Sequence, residues 1–156
     1  MKVPLDRPVV RCPLRTAWAD FADRQAAWTH AITFTFAVSV SVEVPANVHR
    51  TFVRRLAREL GVHIWTVWGV EPDSNGHHLH AVVALPLDVN LSVADIEQRI
   101  TRADRRVGRP KVERFDSGRG WEHYVAKAPD PDINVGCPSF RCRRGGKCKV
   151  GRVSWW

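Results

Sequence analysis

"VHIWTVWGVEPDSNGHHLHAVVALP", residues 62–86, places two runs rich in β-branched and aromatic residues on either side of a Pro-Asp-Ser-Asn-Gly turn. Both runs have strand composition, and Asn75-Gly76 offers the positive φ that a tight hairpin requires. The stretch reads as an antiparallel hairpin. Opposed positions in such a pair keep a constant index sum, so Glu71 set against His78 brings Gly69 against His80 and Val67 against Val82. Directly opposed residues point to the same side of a sheet, which puts Glu71, His78 and His80 on one face.

Imidazoles and carboxylates are costly to bury unless they are paired or bound to a metal. Two imidazoles at i, i+2 on a strand with an opposed carboxylate offer three convergent ligands to a divalent cation. They also leave coordination positions open for water or a phosphate oxygen, the arrangement of a catalytic rather than a closed structural site. The competing reading is a pair of hydrogen-bonded strand histidines. His77 has the opposite parity and reads as a turn histidine, and Asp73 is the substitute ligand if the register differs.

Working outward, "HAITFTFAVSVSVEV" (residues 30–44) alternates with period two and predicts a long strand or a bent strand pair. "ANVHRTFVRRLARELG" (46–61) sets Val48, Phe52, Leu56 and Leu60 on one stripe, with Arg50, Arg54, Arg55 and Arg58 off it and Gly61 as a stop, an amphipathic helix. "SVADIEQRITRADRR" (92–106) opens on a Ser N-cap and puts Val93, Ile96 and Ile100 on one face. "PKVERFD" (110–116) predicts a short strand, and "SGRGWEHYVAKA" (117–128) a helix that ends before Pro129. Leu14, Trp18, Phe21 and Trp28 predict a short helix after Pro13. Strand, helix, strand, strand, helix, strand, helix is a ferredoxin-like or RRM-like α+β pattern, an antiparallel sheet with helices on one face.

The 156 residues suit one domain with its own core. The expected organisation is an N-terminal extension (1–29), the α+β domain (30–132) and a basic tail (133–156) that holds six Lys or Arg and no acid and reads as largely irregular. A net charge of +8 points to a polyanionic partner, nucleic acid being the commonest. No apolar leader opens the sequence, and the most apolar run, 31–44, is short and interrupted by Thr and Ser, so the expectation is a soluble, cytoplasmic protein without a membrane partner. Cys137, Cys142 and Cys148 offer thiolates for Zn2+ in the tail, although C-x4-C-x5-C lacks the paired C-x2-C arms of a zinc ribbon.

Tyr124, the sole tyrosine, has Lys127 at i+3 on the same helical face. A phenolate is a competent nucleophile toward phosphorus, and an ammonium beside it lowers the phenol's pKa or neutralises developing charge. Taken alone, the pair also fits a half-buried amphipathic tyrosine next to a solvated lysine.

"HAITFTF", "HHLHAVV" and "YVAK", in this order, resemble the three motifs of the HUH-superfamily single-tyrosine endonucleases, the replication initiators of rolling-circle replicons. The resemblance spans residues 30–128 and implies the HUH endonuclease fold. It implies Mg2+ or Mn2+ held by His78, His80 and an upstream carboxylate best matched by Glu71, with Tyr124 as nucleophile and Lys127 as the family's lysine. The implied reaction is transesterification on single-stranded DNA at a replication origin or hairpin, which leaves a 5′-phosphotyrosine and a free 3′-OH. Short transposases of the same superfamily are the near alternative, and they typically carry a glutamine after the tyrosine where this chain has Y-x-x-K. No G-x-x-x-x-G-K-[ST] loop is present, so unwinding and synthesis fall to a host helicase and polymerase.

For DNA contacts the candidates are Arg54, Arg114 and Arg119 on phosphates and Trp121 stacking on an unpaired base, with Trp65 on the metal face as a further stacking residue. A reading of another class is a non-catalytic RRM-like nucleic-acid-binding module. The basic, glycine and aromatic pattern of an RNP1 strand is not evident, which favours the enzyme.

Overall fold

The computed structural model describes residues 24, 26–74, 76–116, 118, 125 and 132–136, the last five through their backbone. Its elements are β1 (His30–Phe34), α1 (Glu43–Leu60), β2 (Ile64–Asp73), β3 (Gly76–Ala84), α2 (Val93–Ala103), β4 (Lys111–Arg114) and β5 (Asp132–Gly136). The strands form one antiparallel sheet in the order β4-β1-β3-β2-β5. This is an α+β architecture compatible with a ferredoxin-like fold.

The hairpin register is the expected one: Glu71 pairs with His78, Gly69 with His80 and Val67 with Val82. Period-two alternation then sorts each strand into two faces. Ile32, Phe34, Ile64, Trp68, Leu79, Ala81 and Val83 pack with Phe52, Leu56, Ile96 and Ile100 of the helices in one core. Ala31, Val67 and Val82 lie on the other face with Trp28 and Val125 in a second, smaller cluster. Both helices therefore cover one side of the sheet.

Helix α1 buries Val48, Phe52 and Leu56 as its periodicity requires. It stops at Gly61, which adopts φ 68° and donates its N–H to Ala57 O. Its start lies three residues earlier than expected because Pro45 falls in the first turn, where a missing N–H costs nothing. Ser92 caps α2 with a reciprocal pair of bonds: its Oγ accepts from Asp95 N–H at 3.1 Å and Asp95 Oδ2 accepts from Ser92 N–H at 3.0 Å. Such a cap contributes about 1 kcal/mol.

Two expectations are corrected. The strand expected over 30–44 ends at Phe34, opposite Leu79, although β3 continues through His78, His77 and Gly76: the chain leaves that ladder to pair with the segment before β4. Beyond it Phe36 bridges Val107, Ala37 N–H donates to Arg106 O at 2.9 Å, and Glu43 and Val44 already belong to α1. The tail boundary at 132/133 also moves: Asp132–Gly136 adds to the free edge of β2, with Ile133 opposite Val67 and Val135 opposite Trp65. An edge strand needs only a few residues of extended backbone to satisfy the ladder, so a composition-based boundary overlooks it.

Of the expected N-terminal helix only the end is described, and Trp28 there is non-helical, buried against Ala31, Val67 and Val82. Of the helix expected over 117–128, Val125 is described; it is helical and fully buried in the same cluster.

Candidate metal centre

Three side chains from the two arms of the hairpin converge on the face away from α1 and α2. His78 Nε2 lies 3.0 Å from His80 Nε2, and Glu71 Oε2 lies 3.5 Å from the first and 3.8 Å from the second. The imidazole rings meet edge to face with centroids 4.7 Å apart. The side chains keep 12–21% of their surface exposed, enough for a ligand to approach and little enough to weaken competing water. Among the described residues this is the one group of three His, Cys, Asp or Glu whose ligand atoms cluster this closely.

The hydrogen bonds on the far sides of the rings explain their orientation. His78 Nδ1 is 3.1 Å from Asp73 Oδ2, and His80 Nδ1 is 3.1 Å from Thr33 Oγ1. Each ring thus uses Nδ1 for an outer partner and turns Nε2 inward. A cation about 2.1 Å from each donor separates the donors by about 3.0 Å at right angles and about 3.4 Å at the tetrahedral angle. The observed spacings need only a few tenths of an ångström of adjustment. Glu71 Oε1 is buried without a hydrogen-bond partner among the described residues, a costly state that a cation would relieve. The residues present fit a divalent metal ion.

His77 behaves as its parity requires, pointing to the other side and bonding Val40 O through Nδ1 at 2.9 Å. Asp73 is not in the donor cluster; it supports His78 from outside. Thr33 went unnoticed in the sequence. It faces His80 through the β1–β3 ladder, and Lys111 faces Thr33 through β1–β4, so Gly69, His80, Thr33 and Lys111 form one row across four strands. Lys111 Nζ is 3.4 Å from Glu113 Oε1 on that face. A polar residue interrupting "HAITFTF" was the only available signal.

The other candidate residues are distributed differently. Arg114 is opposite His30 and reaches Leu91 O at 3.3 Å, and Arg54 is exposed on α1 beside Asn47, Arg50 and Thr51. The sheet separates both from the metal donors. Trp65 shares the donors' face, as expected, yet six residues of strand place it about 20 Å from Glu71. Tyr124, Lys127, Trp121, Arg119 and the tail cysteines lie outside the described residues. Val125, adjacent to Tyr124 in sequence, shares a buried cluster with Val82, which lies two positions along β3 from His80 and on the same face.

Two further histidines are structural. His49 is fully buried, donates from Nε2 to Thr66 Oγ1 at 2.9 Å, and is lowered to about 3, first by burial and then by Arg50. Thr66 in turn donates to Val82 O at 3.1 Å. His30 is lowered to about 4 by burial and by Arg114. Both rings are neutral near pH 7.

No family model, curated protein or solved structure matches the chain. Among the described residues, no helix is long and apolar enough to cross a membrane.

Proposed function

We propose that the chain is a metal-dependent endonuclease of the HUH type, which nicks and rejoins single-stranded DNA through Tyr124 as a rolling-circle replication initiator does. The observation that carries this reading is the convergence of Glu71 Oε2 and the Nε2 atoms of His78 and His80 on one face of the sheet. The strand order β4-β1-β3-β2, with helices following β1 and β3, supports a ferredoxin-like core of the kind that family uses.

In this reading Glu71, His78 and His80 hold the cation, and two imidazoles among three ligands favour Mn2+ over Mg2+. A divalent cation there supplies Lewis-acid polarisation of a phosphate oxygen. Tyr124 contributes the nucleophile: its phenolate oxygen bonds to phosphorus as the P–O3′ bond breaks, and the departing 3′ oxygen takes up a proton. Lys127 offsets the charge on the phenolate. One phosphoester replaces another, so the 3′-OH can reverse the step without ATP. The partners that follow are single-stranded DNA at an origin or hairpin and a host helicase and polymerase. The +8 net charge supports a nucleic-acid substrate.

The test is a denaturing gel of protein mixed with a pool of single-stranded oligonucleotides and Mn2+. The expected result is a covalent protein–DNA band that disappears with EDTA, with Tyr124→Phe and with His78→Ala/His80→Ala. A metal-dependent cut without an adduct makes water the nucleophile and overturns the role of Tyr124. Salt-sensitive DNA binding in every variant, with neither cut nor adduct, identifies a binding module instead.

A further inference from the structure

The two imidazoles of the metal centre have chemically different outer partners. His78 Nδ1 faces a carboxylate oxygen of Asp73, and His80 Nδ1 faces the hydroxyl of Thr33, each at 3.1 Å. A carboxylate only accepts hydrogen bonds, whereas a hydroxyl both donates and accepts. The difference has a consequence for where each ring carries its proton.

Opposite Asp73, a neutral His78 ring carries its proton on Nδ1, and its Nε2 is then a lone pair. That lone pair lies 3.0 Å from His80 Nε2. For two neutral rings without a cation, this contact is attractive only when His80 carries its proton on Nε2 and donates it to His78. His80 Nδ1 is then a lone pair, and Thr33 donates its hydroxyl hydrogen to it. A cation that takes both Nε2 lone pairs requires the other tautomer of His80, with the proton on Nδ1. Thr33 Oγ1 then accepts it. The number of protons on the pair is the same in both states.

We infer that Asp73 and Thr33 are positioning residues for the metal centre: Asp73 locks His78 in its ligating tautomer, and Thr33 lets His80 exchange tautomers as the cation enters and leaves. This rests on the metal-site reading above. The hairpin thereby keeps one ligand permanently ready and makes the second adaptable, so the metal-free site avoids two lone pairs facing each other at hydrogen-bond distance. Thr33 lies on β1, which is paired with β4 on one side and β3 on the other, so backbone pairing on both sides holds the hydroxyl in place. Residues that orient a ligating histidine from outside typically change metal affinity by about 10–100-fold when replaced.

The experiment is nitrogen-detected NMR of the histidine rings at pH 8, with and without Zn2+ as a diamagnetic probe, on wild type, Thr33→Val, Thr33→Ser and Asp73→Asn. In the wild type, His78 is expected to show a protonated Nδ1 in both states, while His80 moves from a protonated Nε2 to a protonated Nδ1 on adding Zn2+. Thr33→Val keeps the branched shape, and is expected to bind Zn2+ about 10-fold more weakly. Thr33→Ser restores the affinity, and Asp73→Asn gives a mixture of His78 tautomers. A single His80 tautomer in both states, or Thr33→Val binding Zn2+ as tightly as wild type, overturns the inference and leaves the metal site standing. Wild type that takes up no Zn2+ overturns the metal reading and the inference with it.

Discussion

Glu71 Oε2 lies 3.5 Å from His78 Nε2 across the β2–β3 hairpin, on the same side of the sheet as His80. Glu71 Oε1 is buried and has no hydrogen-bond partner among the described residues. The carboxylate is thus held beside two imidazoles in a geometry that gains most from a shared cation.

That relationship predicts stabilisation by metal. A cation that binds the folded chain alone adds about 2.7 kcal/mol when present at 100 times its dissociation constant. The melting temperature should therefore rise by several degrees with excess Mn2+ or Zn2+ in the wild type. Glu71→Gln and His78→Ala/His80→Ala should abolish the rise, as measured by calorimetry. An undiminished rise in Glu71→Gln would remove Glu71 from the ligand set.

Buried neutral histidines predict acid lability. The folded-state value of His49, about 3, lies below its ordinary value of 6.5. Between those limits the unfolded chain binds a proton that the folded chain does not, so stability is complete above pH 6.5 and is lost as pH falls. The slope contributed is about 1.4 kcal/mol per pH unit for one such group, and His30 adds to it in the same direction down to about 4. Chemical denaturation at pH 7, 6 and 5 should show a clearly shallower decline in His49→Met than in wild type.

The turn glycine predicts a second stability effect. Gly76 adopts φ 120°, and a Cβ there would lie 2.9 Å from Ser39 Oγ and 3.1 Å from Val40 N. The serine side chain can turn aside, but the Val40 backbone is tied to His77 by a 2.9 Å hydrogen bond. Gly76→Ala should cost about 1–3 kcal/mol in urea denaturation. A smaller effect would mean that the loop before α1 yields easily.

Separation by the sheet predicts separable defects. Arg54 is exposed on α1, on the side of the sheet opposite the metal donors. If it contacts a DNA phosphate, Arg54→Ala should weaken binding of all sequences alike and lower the salt slope by about 0.7–0.9. Mn2+ affinity should be unchanged in the same variant. A loss of metal affinity in Arg54→Ala would contradict the two-sided arrangement.

Much of the candidate site was legible in the sequence because it belongs to a hairpin. A two-stranded register is a local property: one turn and the constant index sum of opposed residues suffice to bring Glu71, His78 and His80 to one face, and the same parity turns His77 toward Val40. The two helices were equally local, since their stripes, the Ser92 cap and the Gly61 stop act within a turn or two of chain. Pairings between distant segments carried no such signal. Thr33 and His80 are 47 residues apart, and only the β1–β3 ladder makes the hydroxyl a partner of the imidazole. The same holds for β5, whose five residues become a strand because β2 has a free edge, and for the early end of β1, after which Phe36 and Ala37 pair with Val107 and Arg106. Which side of the sheet carries Arg54 and Arg114 likewise depends on where the helices pack. Local spacing determined the candidate ligands, and long-range strand pairing, whose energy is shared between segments that neither one encodes alone, decided what surrounds them.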